Sequence, residues 1–465
     1  MVRYFRLVAS LACFLLFSQA LPAVGKSRYL MLDNPIRMTF GGFASSMVVA
    51  GDVDGDGVND LLVGAYEFQV RYESPDRHLE PDNISEHQGR AFVFSGKTGN
   101  LLLTLNAPEP MAYAAFGFAL ASAGDVNKDG TPDLLVGAFG YGVTKETGAL
   151  GYGGTGRAFV FNGKTGALLR TLQAPQPQIG GGFGWSVAAL GDLSGDGVPE
   201  QLIGAFGQDG DGRAFVFDGF TGKLLRTLQS PQPPGGSAFG WSVANTGDLN
   251  KDGVSDMIVG APYSPAGAAT VQGRAYAFSG KDGKLLLTLD DPQPAAGEVF
   301  GWRVASAGDL NKDGIPDLLI GAPYKDIGST SSQGAALIFN GADGKLLFVL
   351  NSPAPRPYSG FGYTIAQGPD VDRDGAPEIL IGAPFQTVDV EHVQGEVFLF
   401  NGRDGRHLTT FDDPYPHQGA SFGYSIAAPG DVNGDKIPDF AFGASGQAVM
   451  DKVAVGRVFV FLSQP

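Results

Sequence analysis

Three observations predict an all-β fold, a seven-bladed β-propeller with four antiparallel strands per blade and a ring closed by the N-terminal strand. One 23-residue block recurs seven times without an insertion. Each recurrence is followed by further strand-like runs, and the last repeat lacks the fourth strand that the beginning of the chain supplies. Repetition at this period, with short strands and abundant turn residues, is the pattern of a propeller.

The block opens at Phe43, Phe116, Phe183, Phe239, Phe300, Phe361 and Phe422, and a Gly-Ala pair begins 21 residues later, at Gly64 in the first copy and Gly443 in the last. A second block then opens at Gly89, Gly156, Gly212, Gly273, Gly334, Gly395 or Gly456 and reads GRAFVF or a close variant. From each of the first six of these glycines to the next repeat's phenylalanine is always 27 residues, so all length variation falls between the Gly-Ala pair and the second block.

Each repeat therefore reads as four strands. The first is a stretch such as FGWSVAAL, the second a run such as DLLVGA, the third GRAFVF and the fourth LLLTL or LLRTL. Turns such as SGKTGN and NGADGK join the third to the fourth, their Gly, Asn and Asp suiting hairpin geometry. A linear solenoid is the rival, and the chain ends decide against it. The seventh repeat stops after GRVFVF, whereas RYLMLDNP at the start places Pro35 eight residues before Phe43, the offset of Pro108 from Phe116. Residues 28 to 32 are a displaced fourth strand that completes the last blade and leaves no open seam.

Composition agrees. The 465 residues are 43% hydrophobic and 17% charged, which supports a large core, and 70 glycines with 30 prolines supply many tight turns. A formal charge of -16 excludes nucleic acid and anionic membrane as partners. Arg3 and Arg6, the apolar run from Leu7 to Phe17 and the small residues around Ala20 predict a signal peptide over residues 1–20, cleaved near residues 20–25. The run is too short to span a bilayer, for which about 20 apolar residues are needed. The remainder, residues 28–462, reads as a single propeller. The only cysteine, Cys13, lies in the leader, so the mature chain is expected to hold no disulfide and no membrane anchor, and to be secreted: extracellular, or periplasmic or cell-surface in a bacterium.

The chemistry lies in the nine-residue loops between the first and second strands. Oxygen side chains at positions 1, 3, 5 and 9, with the backbone carbonyl of position 7, make an oxygen shell for a hard cation, and Ca²⁺ suits it better than Mg²⁺. The seven sets are Asp52, Asp54, Asp56, Val58 and Asp60; Asp125, Asn127, Asp129, Thr131 and Asp133; Asp192, Ser194, Asp196, Val198 and Glu200; Asp248, Asn250, Asp252, Val254 and Asp256; Asp309, Asn311, Asp313, Ile315 and Asp317; Asp370, Asp372, Asp374, Ala376 and Glu378; and Asp431, Asn433, Asp435, Ile437 and Asp439. Glycine at position 6 allows the sharp turn, and position 12 is apolar, unlike an EF-hand. Asp, Asn and Gly also make ordinary turns, but these loops hold 23 of the 48 acidic residues. Up to seven Ca²⁺ ions would offset most of the chain's negative charge.

Phe-Gly, then the loop, then Gly-Ala-Pro resembles the FG-GAP repeat of integrin α-subunit propellers, over essentially all of the mature chain. The full Gly-Ala-Pro form stands only at Pro262, Pro323 and Pro384. Ala44 replaces the glycine after Phe43, Ser194 the usual Asp or Asn, and Lys436 the loop glycine of the seventh repeat, the least regular site. The resemblance implies calcium in some blades and a ligand-binding face. Nothing in the sequence resembles an integrin's leg domains or tail.

Trp185, Trp241 and Trp302, the only tryptophans, stand two residues after the repeat phenylalanine, where packing between blades is expected. Ser186 in GWSVA lies in a strand pattern, with no strand-to-helix turn of a hydrolase nucleophile. No catalytic set is nominated, and the chain is read as a non-enzyme. The expected function is a ligand-binding or adhesion-type module for an extracellular protein or glycan. It would act through the strand 2 to strand 3 loops, where Tyr66, Phe68, Arg71, Tyr72 and Arg77 of the first repeat and Tyr141 and Tyr152 of the second are the candidate contacts. The alternatives are a lectin or a carbohydrate-active lyase or hydrolase, with Asp209 and Asp211 as acids converging on the channel, and a purely structural envelope or matrix protein.

Overall fold

The computed structural model describes residues 28–36, 41–66, 88–111, 113–142, 154–232, 235–265, 271–295, 297–388, 393–449 and 454–463. The leader predicted over residues 1–20 lies outside them. The described residues form seven four-stranded antiparallel sheets, and the first strands of successive blades touch around a ring in which blade one meets blade seven. Blade five is representative: Arg303–Gly308, Asp317–Ala322, Ala335–Phe339 and Leu346–Leu350 pair in chain order. A single 3-10 turn, Gln208–Gly210, is the only helical segment among the described residues.

The second strand is buried at every residue in blades such as the first (DLLVGA), because a neighbouring sheet covers each of its faces. The fourth strand lies outermost and exposes its first residue, as Leu101 does at 43%. Seven apolar clusters, each drawn from two adjacent blades, hold the ring together. One of them packs Leu319 and Ile338 of blade five on Phe361, Ile381 and Phe398 of blade six.

Blade seven closes as the sequence predicts. Arg28–Asp33 pairs antiparallel with Arg457–Leu462, from Arg28 opposite Leu462 to Asp33 opposite Arg457. Arg457 Nε donates to Asp33 Oδ1 at 2.6 Å, and Leu32, 1% exposed, enters the cluster that joins blades seven and one. Leu32→Asp places an unpaired carboxylate in that seam, and we expect a loss of about 3 kcal/mol or more together with association through the freed edge. Equilibrium urea unfolding and light scattering read the two effects.

Two spacings acquire a physical reason. Phe116 N–H donates to Gln88 O at 3.0 Å, so the first strand of blade two bridges to the third strand of blade one; four further blade junctions repeat this parallel bridge. The bridge ties the ends of the 27-residue connector to one point and tolerates no insertion. The Gly-Ala glycine is needed because the next blade crosses it. A Cβ at Gly321 would lie inside van der Waals contact with the Gly362 carbonyl oxygen, and Gly64 meets Gly117 in the same way. At the position after the repeat phenylalanine, Ala44 adopts φ 64° where Gly117 and Gly240 take 86° and 90°, a left-handed backbone that costs a non-glycine residue about 1 kcal/mol.

Candidate cation loops and the axial cavity

All seven loops place the position-9 carboxylate in the protein interior, each 0% exposed. In the first, Asp60 accepts Val53 N–H at 2.8 Å and Gly96 N–H at 3.1 Å, tying the loop to the hairpin between strands three and four. Asp133 and Asp317 repeat both bonds with their own hairpin glycines, Gly163 and Gly341. Position 1 organises the turn: Asp52 Oδ1 accepts Gly55 and Asp56 N–H, and Oδ2 accepts Gly57 N–H. The turn requires φ 85° at Gly57; Lys436 of the seventh loop takes φ 70° there and still donates its N–H to Asp431 Oδ2 at 2.7 Å. The non-glycine residue flagged in the sequence keeps the loop backbone.

The electrostatics are those of concentrated, uncompensated negative charge. Burial first, then neighbouring aspartates, push the carboxyls of Asp60, Asp133 and Asp317 up to about 6 and that of Glu378 up to about 7, against the pull of their N–H donors. Oxygens of Asp52, Asp54 and Asp60 converge within 4.8 Å, as do those of Asp370, Asp372 and Asp374. In the sixth loop Glu378 Oε2 is buried without a hydrogen-bond partner, and Asn401 Nδ2 donates to Asp372 and Asp374, each at 2.8 Å. Donor N–H groups thus stand between carboxylates where a cation would be attracted. An all-oxygen set with an unsatisfied buried carboxylate fits a hard divalent ion.

Adjacent loops are also clasped together. Lys128, Lys251 and Lys312, at position 4, donate to the main-chain oxygens of Asp196, Asp313 and Asp374 in the following blade. These lysines hold φ of 58° to 62°, where loops one, three and seven have glycine.

The opposite face is made by the strand 2 to strand 3 loops together with the linkers between blades, which bond to one another: Tyr358 N–H to Ser331 O, Gly297 N–H to Val271 O and Gly419 N–H to Val393 O. Of the contacts predicted there, Phe68, Arg71, Tyr72, Arg77 and Tyr152 lie outside the described residues. Tyr66 is half-buried and meets Phe118 edge-on at 5.4 Å. Tyr141 corrects the sequence reading: it is 1% exposed, its hydroxyl donates to Glu109 Oε2 at 2.9 Å, and the Arg157 guanidinium covers its ring at 4.2 Å. It latches a linker and does not face solvent. Residues that do project from this face include Tyr358, 69% exposed, Ile179, 62%, and Tyr113, Tyr324 and Tyr415. Tyr113, Ile179, Tyr358 and Tyr415 lie in the linkers between blades, whereas Tyr324 follows the Gly-Ala-Pro of blade five in the strand 2 to strand 3 loop, where Tyr66, Phe139, Phe206, Tyr263 and Phe385 recur in other blades, a signal that could have pointed to it.

At the axis, the residues two after the repeat phenylalanine meet in turn. Ring centroids lie 4.6 Å apart for Phe118–Trp185, 4.5 Å for Trp185–Trp241, 4.8 Å for Trp241–Trp302, 5.4 Å for Trp302–Tyr363 and 5.2 Å for Tyr363–Tyr424. These are contacts between blades, as expected, yet they also wall a cavity of about 190 Å³ that Ser45 and Arg303 complete. No carboxylate lines it among the described residues. Asp209 and Asp211, weighed as channel acids, are elsewhere: Asp209 pairs with Arg213 at 3.1 Å, and buried Asp211 accepts Ser237 N–H at 2.9 Å.

Comparison with known proteins agrees with this geometry. The FG-GAP repeat model matches residues 43–74, 116–161, 239–278, 300–339 and 361–400. The chain carries five FG-GAP repeats and is similar to integrin α subunits. Integrin alpha-5 of Xenopus laevis is 32% identical over 231 residues, 46% of this chain and 21% of the relative. Integrin alpha-6 of Homo sapiens is 35% identical over 159 residues, 33% and 13% respectively, and integrin alpha-4 of Xenopus laevis is 33% identical over 220 residues, 45% and 20%. The matches thus span about a fifth of these relatives' length or less. Blades three and seven, which the repeat model does not match, contain Ser194 and Lys436, and the integrin-α-like chain folds them like the rest.

One acidic pair of this FG-GAP protein escaped sequence reasoning. The third strand opens with arginine in five blades, and in blade four Arg274 faces Asp290 at 2.7 Å. Blade six has Glu396 there, opposite Asp412, and Glu396 is 7% exposed with Oε2 unpartnered. Burial first, then Asp412, pushes the Glu396 carboxyl up to about 7, with Arg356 opposing. The folded state therefore binds this proton more tightly than the unfolded chain, and stability from this site falls as pH rises from about 4.5 to 7. Glu396→Gln is expected to stabilise the protein by on the order of 2 kcal/mol at pH 8 and to have little effect at pH 4, checked by denaturant unfolding at both.

Proposed function

We propose that this chain is a secreted adhesion-type module that docks an extracellular protein or glycan on the face of strand 2 to strand 3 loops and linkers, while Ca²⁺ in the opposite loops stiffens the ring. The observation that carries the docking surface is the exposure of Tyr358, Ile179, Tyr113, Tyr324 and Tyr415 on that one face. Exposed aromatic side chains concentrated on a rigid scaffold favour partner binding, since they bury large area at low entropic cost. The likeness to integrin α subunits supports the same reading. The Ca²⁺ reading rests on the oxygen sets at positions 1, 3, 5, 7 and 9 and on the unsatisfied Glu378.

The test is binding of the mature protein to panels of matrix proteins and glycans. Tyr324→Asp with Tyr358→Asp should weaken a positive interaction at least tenfold, and Lys164→Glu, on a hairpin of the opposite face, should leave it intact. Equal binding by both variants would move the docking surface elsewhere, and no saturable partner would favour a structural role.

A further inference from the structure

The third residue after the repeat phenylalanine is small in six blades: Ser46, Ala119, Ser186, Ser242, Thr364 and Ser425. Four of these hydroxyls donate across the blade junction, Ser46 to Gly117 O, Ser186 to Gly240 O, Thr364 to Tyr424 O and Ser425 to Ala44 O. Blade five breaks the pattern with Arg303, which forgoes that bond and instead lines the axial cavity, near enough to act on the Tyr363 hydroxyl. No carboxylate neutralises it among the described residues.

The other polar groups around the cavity are also donors in excess. The Tyr363 and Tyr424 hydroxyls lie 3.0 Å apart, so one donates to the other and one proton is left to offer. Burial keeps Tyr363 well above the usual phenol range and therefore protonated. A guanidinium and one spare phenol proton between flat aromatic walls select a guest that is apolar in body and anionic at one end.

We propose that the axial cavity binds a flat apolar group bearing a carboxylate, with Arg303 receiving the carboxylate and the tryptophans enclosing the body. This rests on the docking reading above and deepens it by naming the chemistry taken at the centre of that face. It also means that the aromatic ring does not serve to capture a cation, because the chain supplies one from within.

The three tryptophans all line the cavity, so tryptophan emission, excited selectively over tyrosine, reports on it. The experiment titrates the mature protein with phenylacetate, phenethylamine and benzyl alcohol, which differ in head-group charge. Phenylacetate is expected to change the emission saturably and the amine to give no saturable response. Arg303→Ser, which installs the residue that blades three and four carry, should weaken phenylacetate at least tenfold, and Arg303→Lys should keep part of the affinity. Equal response to the amine, undiminished binding by Arg303→Ser with native circular dichroism, or no response to any probe would overturn the proposal. None of these results touches the docking reading, whose test is the response of partner binding to Tyr324 and Tyr358 at the rim.

Discussion

Chelating divalent cations is expected to lower the unfolding temperature of this protein by roughly 3 °C for each cation loop that was filled, and Ca²⁺ to restore it. An ion bound only by the native state adds RT ln(1 + [L]/Kd), about 2.7 kcal/mol at a hundred times Kd. For a ring of this length the unfolding entropy converts 1 kcal/mol to about 1 °C. Seven filled loops therefore predict a shift of about 20 °C, and two filled loops a shift near 5 °C. The physical source is the set of buried position-9 carboxylates, whose charge burial opposes and N–H donors only partly offset. Calorimetry with and without chelator, beside a count of bound calcium by elemental analysis, gives the number of sites. No bound ion and an unchanged midpoint would reduce the loops to hydrogen-bonded turns.

Gly321→Ala should cost about 3 kcal/mol or more, although it adds one methyl group. The new Cβ meets the main-chain oxygen of Gly362 in the next blade, and a backbone cannot rotate away as a side chain can. Relief requires the two blades to separate, which loosens the cluster of Leu319, Ile338, Phe361 and Phe398. The control is Gly368→Ala, whose nearest neighbour would be the Glu378 oxygen at an ordinary 3.5 Å; it should leave stability unchanged or raise it slightly. Urea unfolding of both variants in excess Ca²⁺ separates this packing term from metal binding. Equal stability of the two would show that the junction is more compliant than the close approach implies.

The fold was legible because each of its causes repeats. Seven copies of one spacing identify the strands, their turns and the loop positions, and the missing last strand identifies the closure that Arg28–Asp33 makes with Arg457–Leu462. The candidate site was legible only in part. The oxygen positions of the loops were readable, yet the position-9 acids also hold the hairpins, accepting N–H bonds from Gly96 at Asp60 and from Gly341 at Asp317 that periodicity does not reveal. Tyr141 looked like a loop aromatic, and its burial under Arg157 depends on a linker acid, Glu109, 32 residues away.

Arg303 was visible as the one large residue in a column of small ones, a signal that could have been used. What the sequence by itself determined is whatever short-range patterning specifies: strand alternation, turn chemistry, the repeat count and the seam. Only the tertiary structure decided which side chains meet across blades: the tryptophan ring, the cationic cavity and the Glu396–Asp412 pair. The reason is physical. Alternation and turns depend on neighbours along the chain, whereas the axial ring joins residues about 60 positions apart whose meeting is set by blade number and closure.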